Sequence, residues 1–455
     1  MLKVSLIRAK YHSVWEPISL MYISSYLQKH VPNAEVQILD AFFETDDDIL
    51  RKVSDADFVG IGGTTPQVRH MLSLTEKIKS QNSNTITAIG GFGPSLEPSK
   101  FDGLKSVDHI CLGEGEQNMV DVVTGKAKRF VSNLPIADID SIPFPDRDNI
   151  DLDKYISIAQ RDEGRRVTSV LTQRGCAFNC TFCAEGEFGT IWRKMNVETS
   201  ENDDLKLDSV EYERPNRVRM RNPKYVVQEM VETRDRFNIE FFKTSDAETN
   251  PTKPHFIKLC KEMVEQKLDV PWGCNMRADK LDDEMCQWAV KANCTEFFIG
   301  LESGVEEIHQ HINKGTTVKM IKNAFKVSRK YGIMRRSYSF IGTPLETHDT
   351  IKQTEALIDE CDPDVFGVCV LCPYPGTRYY KPEYDALDWS QVDEYANTFW
   401  ETDNMTNEDL RNEQARLMEK YKNKLATNFR KKFQSGIIAP TGRVLDSLQQ
   451  HPNRF

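Results

Sequence analysis

Two successive strand–helix series and a helical tail place this chain in the α/β class. The expected order is a doubly wound parallel sheet, a partial βα barrel and a small, mainly helical C-terminal region. Three observations predict it. Short β-branched or apolar runs alternate with helix-periodic stretches twice over. A proline-punctuated connector separates the two series. At 39 % hydrophobic residues, a chain of 455 residues can build more than one core.

The first series occupies residues 1–130. Apolar runs at 4–7, 36–39, 58–61, 85–89 and 109–112 read as buried strands. Residues 19–29 carry Leu20, Ile23 and Leu27 at helical spacing, and 68–80 carry Met71, Leu72 and Ile78. Strands joined by helices are parallel and covered on both faces, and five of them suit a flavodoxin-like layout. Residues 131–165 form a linker in which Leu134-Pro135, Ile142-Pro143 and Phe144-Pro145 interrupt helix and central strand alike. The second series runs over 166–384, with strands at 168–172, 240–244, 269–275, 296–300, 336–341 and 365–371. Six βα units with a site at the strand C-termini make a partial or complete barrel. Residues 194–218 interrupt it as a polar, acidic surface loop or a substrate-specific insertion. The tail, 385–455, opens a helix at a capping box formed by Thr406 and Asp409.

Charge and cysteine usage narrow the function. With 59 basic against 69 acidic side chains the net charge is -10, which disfavours a general electrostatic grip on nucleic acid. No apolar stretch is long enough to span a membrane, and the start, MLKVSLIRAK, lacks a signal peptide's apolar region. A cytoplasmic chain is expected. Its 11 cysteines are scattered, as core residues, metal ligands or catalytic groups are in a reducing compartment.

The sharpest motif is TSVLTQRGCAFNCTFCAEG, where Cys176, Cys180 and Cys183 are spaced C-x3-C-x2-C directly after a strand. Gly175 lets the chain turn at the strand's end. Three thiolates do not complete a tetrahedral zinc site without a fourth ligand from elsewhere, and they suit an iron–sulfur cluster. With Phe182 before the last cysteine, this loop resembles that of the radical S-adenosylmethionine (SAM) superfamily. The resemblance implies a [4Fe–4S] cluster on the three cysteines, with an open iron that binds the amino and carboxylate groups of SAM. Reductive cleavage of SAM there yields methionine and a 5′-deoxyadenosyl radical, which takes hydrogen from the substrate.

Further segments follow in the family's order. FFKTSDAETN looks like the segment near the SAM amino group, with Ser245, Asp246 and Glu248 as acceptors; an N-cap cluster before the helix at Lys253 is the alternative. Arg277 in WGCNMRAD meets the SAM carboxylate or pairs with Asp279 or Glu302. Glu302 and Ser303 in FIGLESG resemble the ribose motif, or else cap a helix. SFIGTPLE matches the Gly-x-Pro-x-Glu element, in which Gly342 admits adenine, and YPGT at 374–377 is the usual closing turn. Cys361, Cys369 and Cys372 read as core residues or an auxiliary cluster.

The first series resembles the cobalamin-binding domain of one radical SAM branch through IGGTT (with Thr64 and Thr65), IGGFG (with Gly90 and Gly91) and VDHICLGEGE (with Gly113, Glu114 and Gly115). The resemblance implies cobalamin over the barrel and a C-methyltransferase acting on an unactivated carbon. The fingerprint Asp-x-His-x-x-Gly is absent; His12 stands alone and reads as a loop histidine. Tyr379, Tyr380, Trp389, Tyr395 and Trp400 either line the pocket or pack a cap. A radical cyclase, oxidase or rearrangement enzyme is the alternative on this scaffold. A methylthiotransferase fits less well, since only Cys111 precedes Cys176, and a non-catalytic relic conflicts with the intact cysteine triplet. No flavin or ferredoxin module is visible, so a flavodoxin or ferredoxin is the expected electron donor. The basic run from Arg416 to Lys432 meets an anionic partner or forms a solvated helix face.

Overall fold

A computed structural model describes residues 1–12, 14–188 and 218–434, without the side chains of 186–187 and 423–434. It divides into two compact units: Met1–Leu152 with the described part of Phe182–Arg219 and with Pro373–Asp393, and Asp153–Thr181 with Met220–Cys372 and the described part of Glu394–Phe455.

The first unit holds β1 (Leu2–Arg8), β2 (Ala34–Asp40), β3 (Phe58–Gly62), β4 (Ile86–Gly90), β5 (His109–Leu112) and β6 (Phe130–Ser132), in the order β2-β1-β3-β4-β5-β6, every pair parallel. The expected five-stranded doubly wound sheet is present with a sixth, three-residue strand at its edge. That strand has no apolar run to announce it: Lys126, Lys128 and Arg129 lead straight into Phe130. The chain steps from β1 to β2 on one side and to β3 on the other, so a topological switch point lies between β1 and β3. Helices α1 (Ile18–His30), α2 (Asp46–Lys52), α3 (Val68–Gln81) and α4 (Gly115–Val123) cover the sheet. The core is built from Leu6, Ile7, Val59, Ile61, Ile89 and Ile110, all buried. The linker region folds in part, as α5 (Leu152–Glu163).

The second unit holds a parallel six-stranded sheet of β7 (Val167–Val170), β8 (Phe241–Thr244), β9 (Trp272–Met276), β10 (Cys294–Gly300), β11 (Met334–Ile341) and β12 (Val365–Val370), hydrogen-bonded in the order β12-β11-β10-β9-β8-β7. Its outer parity, with Phe242, Trp272, Cys274 and Phe297, is buried under the crossover helices. The other parity faces a concave lumen. Arg165, at the root of β7, pairs with Glu296 on β10, three strand positions away. On a flat sheet that separation is roughly 14 Å, so the sheet must curl for the two to meet. The sheet stays open between β7 and β12, a partial barrel as expected.

Thr406 and Asp409 form the anticipated capping box at the start of α6 (Asn407–Gln434). On that helix Arg416 and Lys420 pair with Glu355 and Asp359, as a solvated face does. The insertion at 194–217 lies outside the described residues. Among the described residues, no helix is long and apolar enough to cross a membrane.

Candidate functional site

Cys176, Cys180 and Cys183 are half-buried, outside any disulfide, on the loop that leaves β7. Asp246 holds the root of that loop. Its buried carboxylate accepts from Thr172 N at 2.7 Å, Thr172 Oγ1 at 2.6 Å, Gln173 N at 3.2 Å and Thr249 Oγ1 at 3.1 Å. The loop's far side is tied down by Thr181 N donating to Ile312 O at 2.9 Å and by Asn313 Nδ2 donating to Asn179 O at 3.0 Å. Between these ties, the Arg277 guanidinium lies 3.3 Å from the centre of the Phe178 ring and Lys280 Nζ 4.7 Å from it, both as cation–π contacts.

Charge converges on Cys180. Burial pushes its thiol up, while Lys314 and Arg277 pull it down and Glu302 opposes them. Arg277 donates from Nε to Asp279 at 3.0 Å and from Nη2 to Lys314 O at 2.6 Å, so it braces the loop through an ion pair with Asp279. Glu302 sits at φ 61° and pairs with Lys314, whose ammonium also donates to Gly300 O at 3.1 Å. A non-glycine residue held in the left-handed region marks a constrained position, of the kind that concentrates at functional sites.

Glu248 has the opposite surroundings to Asp246. It is 2 % exposed, and neither buried carboxylate oxygen meets a hydrogen-bond donor at ordinary geometry among the described residues. The nearest cations, Arg277 Nε and Lys280 Nζ, stand 4.0 and 3.9 Å away. Burial pushes its carboxyl up against the pull of Lys280 and Arg277. Ser245 lies exposed at the end of β8.

Other residues singled out by sequence have different surroundings. Ser303 is buried: it accepts from Val305 N at 3.2 Å, faces Thr354 Oγ1 at 3.3 Å, and its carbonyl meets His309 Nε2 at 2.7 Å. Gly342, at φ 99°, donates weakly to Glu346, and its carbonyl accepts from Trp400 Nε1 at 2.8 Å. A Cβ there would stand 3.1 Å from Leu410 and Trp400, so packing requires the glycine. Phe182 is half-buried. Cys361 and Cys372 are buried and Cys369 half-buried, as core residues are. Trp389 packs against Lys100 and Phe101, Tyr380 donates to Asp385 at 2.6 Å, Tyr379 is buried and Tyr395 is exposed.

In the first unit, Thr64, Gly90, Gly91, Gly113 and Glu114 gather at the C-terminal ends of β3, β4 and β5. Gly91, at φ 102°, lies so close to the Gly63 carbonyl that no side chain fits there. Thr64 is exposed, Gly113 faces open space, and Glu114 pairs with Arg219. Thr65 is buried, and Gly115 packs α4 closely on Ile23 of α1. His12 is exposed, 3.5 Å from an Asp393 oxygen, with its ring tilted at 42° against Tyr11.

Sequence reasoning missed the lumen charges. Glu163, Arg165, Lys243, Glu296 and Arg336 form one ion network inside the barrel. The signal lay in β10 and β11, where CTEFFIG and MRRSYSFI carry charge at the inward parity of otherwise apolar strands.

A family model described as a B12 binding domain matches residues 4–123, and one described as the radical SAM superfamily matches residues 170–358. The chain is 25 % identical to the anaerobic magnesium-protoporphyrin IX monomethyl ester cyclase of Rubrivivax gelatinosus, over 87 % of this chain and 72 % of the relative. It is 26 % identical to an uncharacterized methyltransferase of Pyrococcus horikoshii, over 80 % and 78 %. Its fold matches the radical SAM methyltransferase TsrM of Kitasatospora setae, solved with cobalamin and a [4Fe-4S] cluster, with a TM-score of 0.65 at 18 % identity, covering 83 % of this chain and 74 % of that one.

These domains imply a [4Fe–4S] cluster, SAM and cobalamin. The donor set fits the first two. Among the described residues no three His, Cys, Asp or Glu side chains converge on a single ion. A cubane, where each thiolate binds its own iron, does not require such convergence. Glu248 is a buried acceptor whose neighbours, the Ala177 amide, Arg277 and Lys280, make no hydrogen bond of ordinary geometry to it, which suits a site for an ammonium group. The crevice beyond β3, β4 and β5, with open space at Gly113, fits the nucleotide tail of cobalamin.

Proposed function

We propose that this chain, which belongs to the radical SAM superfamily in the branch whose barrel follows a B12-binding domain, is a methyltransferase acting on an unactivated carbon of its substrate. When bound, the cluster, SAM and cobalamin supply one-electron cleavage of the sulfonium and a methyl carrier. The protein's own work is placement and the exclusion of water. Cys176, Cys180 and Cys183 would hold three irons, leaving the fourth for SAM. Glu248 would accept the SAM ammonium, with Ser245 beside it. The Arg277 guanidinium, in cation–π contact with Phe178, would turn its remaining donors to the carboxylate. Glu302, its charge balanced by Lys314, would meet the ribose hydroxyls, and Phe182 and Gly342 would flank the adenine. Thr64, Gly90 and Gly113 would border cobalamin. A one-electron donor of the flavodoxin or ferredoxin type is required.

The observation that carries this reading is Glu248, a buried carboxylate at the foot of the cysteine loop with no hydrogen bond of ordinary geometry among the described residues. Such a group is costly unless a charged donor arrives to pair with it. The test is anaerobic, reconstituted protein given SAM and dithionite. 5′-Deoxyadenosine above a Cys176→Ala control is expected, as is transfer of label from methyl-deuterated SAM into the product. No 5′-deoxyadenosine above that control overturns the reading. The similarity to the anaerobic cyclase supports a second reading, ring closure or oxidation on the same scaffold. A product without the deuterated methyl group would favour it.

A further inference from the structure

The floor of the barrel lumen carries more positive than negative charge. Among the described residues, Arg165, Lys243 and Arg336 form their ion pairs with two carboxylates, Glu163 and Glu296. Lys243 pairs with Glu163 alone among the described residues, which leaves two ammonium protons without a partner. Arg165 reaches both carboxylates through Nη2, while its buried Nε has no acceptor. Its guanidinium lies 3.4 Å from the centre of the Phe241 ring, a cation–π contact. Lys243 and Arg165 are half-buried, and cationic donors so placed are ready partners for an anion.

One lumen layer above Arg336 stands Tyr338. It is flanked by β10 and β12, opposite Gly300 and Gly367, yet 45 % of its surface is open. An interior strand can expose a side chain that far only toward an open lumen. The Tyr338 hydroxyl makes no hydrogen bond among the described residues. The Phe298 ring lies 6.5 Å from it, centre to centre, at 56°. The open space thus has cationic donors below, a phenol at mid-height and aromatic walls. Above it stand Glu302, Lys314 and the cysteine loop.

We propose that the lumen floor is a seat for the anionic end of the substrate, an organic carboxylate or phosphate with an apolar body, held by Lys243, Arg165 and the Tyr338 hydroxyl. The proposal rests on the reading of this barrel as a radical SAM site. An anion at the floor directs the body past Tyr338 and Phe298, toward the cysteine loop at the opposite end of the strands.

The test is calorimetric titration of the reconstituted protein, with SAM bound, using benzoate, phenyl phosphate and benzyl alcohol. Saturable binding of one or both anions, at least about tenfold tighter than benzyl alcohol, is expected, since a charge-assisted hydrogen bond is worth at least that factor. Preference for benzoate identifies a carboxylate substrate, and preference for phenyl phosphate a phosphate. Tyr338→Phe and Lys243→Gln should each weaken the anion about tenfold and leave benzyl alcohol unchanged. Tyr338→Phe removes only an open hydroxyl, so it keeps the test interpretable if Lys243→Gln fails to fold. Anions that bind no better than the alcohol, or a Tyr338→Phe protein that binds them as the parent does, overturn the proposal. In the same preparation, 5′-deoxyadenosine formation reports on the cofactor site. SAM cleavage without anion binding discards the seat alone; anion binding without SAM cleavage discards the enzymatic reading.

Discussion

Replacing Asp246 separates the energetics of the cysteine loop from its chemistry. The carboxylate accepts from two backbone amides, Thr172 and Gln173, and from the hydroxyls of Thr172 and Thr249. Asp246→Ala strands the two amides in a buried site, at a cost of about 2–6 kcal/mol if each unsatisfied donor costs about 1–3 kcal/mol. Asp246→Asn keeps one oxygen for both amides and turns its amino group to the two hydroxyls, which accept as readily as they donate. The pH dependence has a definite sign. Burial pushes the Asp246 carboxyl up to about 6, and the hydrogen bonds from Thr172, Gln173 and Thr249 only partly oppose it. With the folded pKa above the ordinary 3.8, the proton favours the fold; that stabilisation is full below about pH 4 and is lost as pH rises through 6. At about 1.4 kcal/mol for each tenfold gain in proton affinity, this rise amounts to about 3 kcal/mol. The Asn variant has no charge to bury, so its advantage over the parent should grow from within about 1 kcal/mol at pH 4 to about 3 kcal/mol at pH 8. Guanidinium unfolding at both pH values measures this, and iron content after reconstitution reports on the loop. An Ala variant within about 1 kcal/mol of the parent, with full iron, would refute the latch. So would an Asn variant whose advantage does not grow with pH.

Three other outcomes are expected. Serine at Cys176, Cys180 or Cys183 should abolish the visible iron–sulfur absorption, whereas Cys369→Ser and Cys372→Ser should retain it. Gly342→Ala should cost about 1–3 kcal/mol in thermal unfolding, from its positive φ and from a methyl pressed on Leu410 and Trp400. Against the opposing effect of burial, Lys243, Arg336 and Arg165 hold the Glu163 carboxyl down to about 2, so its stabilisation is present above pH 4.5 and fades as pH falls toward 2. Lys243→Met should therefore move the acid-unfolding midpoint, followed by circular dichroism, to higher pH.

The parts of this molecule legible in its sequence are those set by local rules. Buried strands announce themselves where β-branched and apolar residues cluster, and eleven of the twelve strands in the two six-stranded sheets lie at such clusters. Phe130–Ser132 has three residues behind a basic lead-in, so nothing local marks it. The cysteine loop was legible because its three thiols lie within eight consecutive residues. The fate of the flanking polar residues was not, since their partners are distant in the chain. Asp246 is consumed by Thr172 and Gln173, Ser303 by Thr354, and Gly342 by Trp400. Glu296 and Arg336 stood in plain view, but a charge within a strand acquires meaning only when its parity is known to face a lumen.

Asp246 and Glu248, two residues apart on one segment, differ in what their carboxylates meet. Asp246 accepts four hydrogen bonds and ties the loop; Glu248 makes none of ordinary geometry, and burial, with Asp279 nearby, disfavours its charge against the pull of Lys280, Arg277 and the Ala177 amide. Its cationic neighbours have other partners: Arg277 has Asp279 and the Lys314 carbonyl, and Lys280 the Pro251 carbonyl. Glu248→Gln therefore removes a buried charge without stranding either cation, and the protein without SAM should be as stable as its parent or more so. The same change deletes the charge that would meet the SAM ammonium, so SAM should bind about tenfold or more weakly, the loss of one charge-assisted hydrogen bond. A binding residue lowers affinity while sparing stability; a residue of the structural ion network lowers stability first. Equilibrium dialysis with SAM, beside thermal unfolding of the same preparation, separates the two. A Gln variant that melts earlier and binds SAM as the parent does would place Glu248 with the structural charges and leave the ammonium without its acceptor.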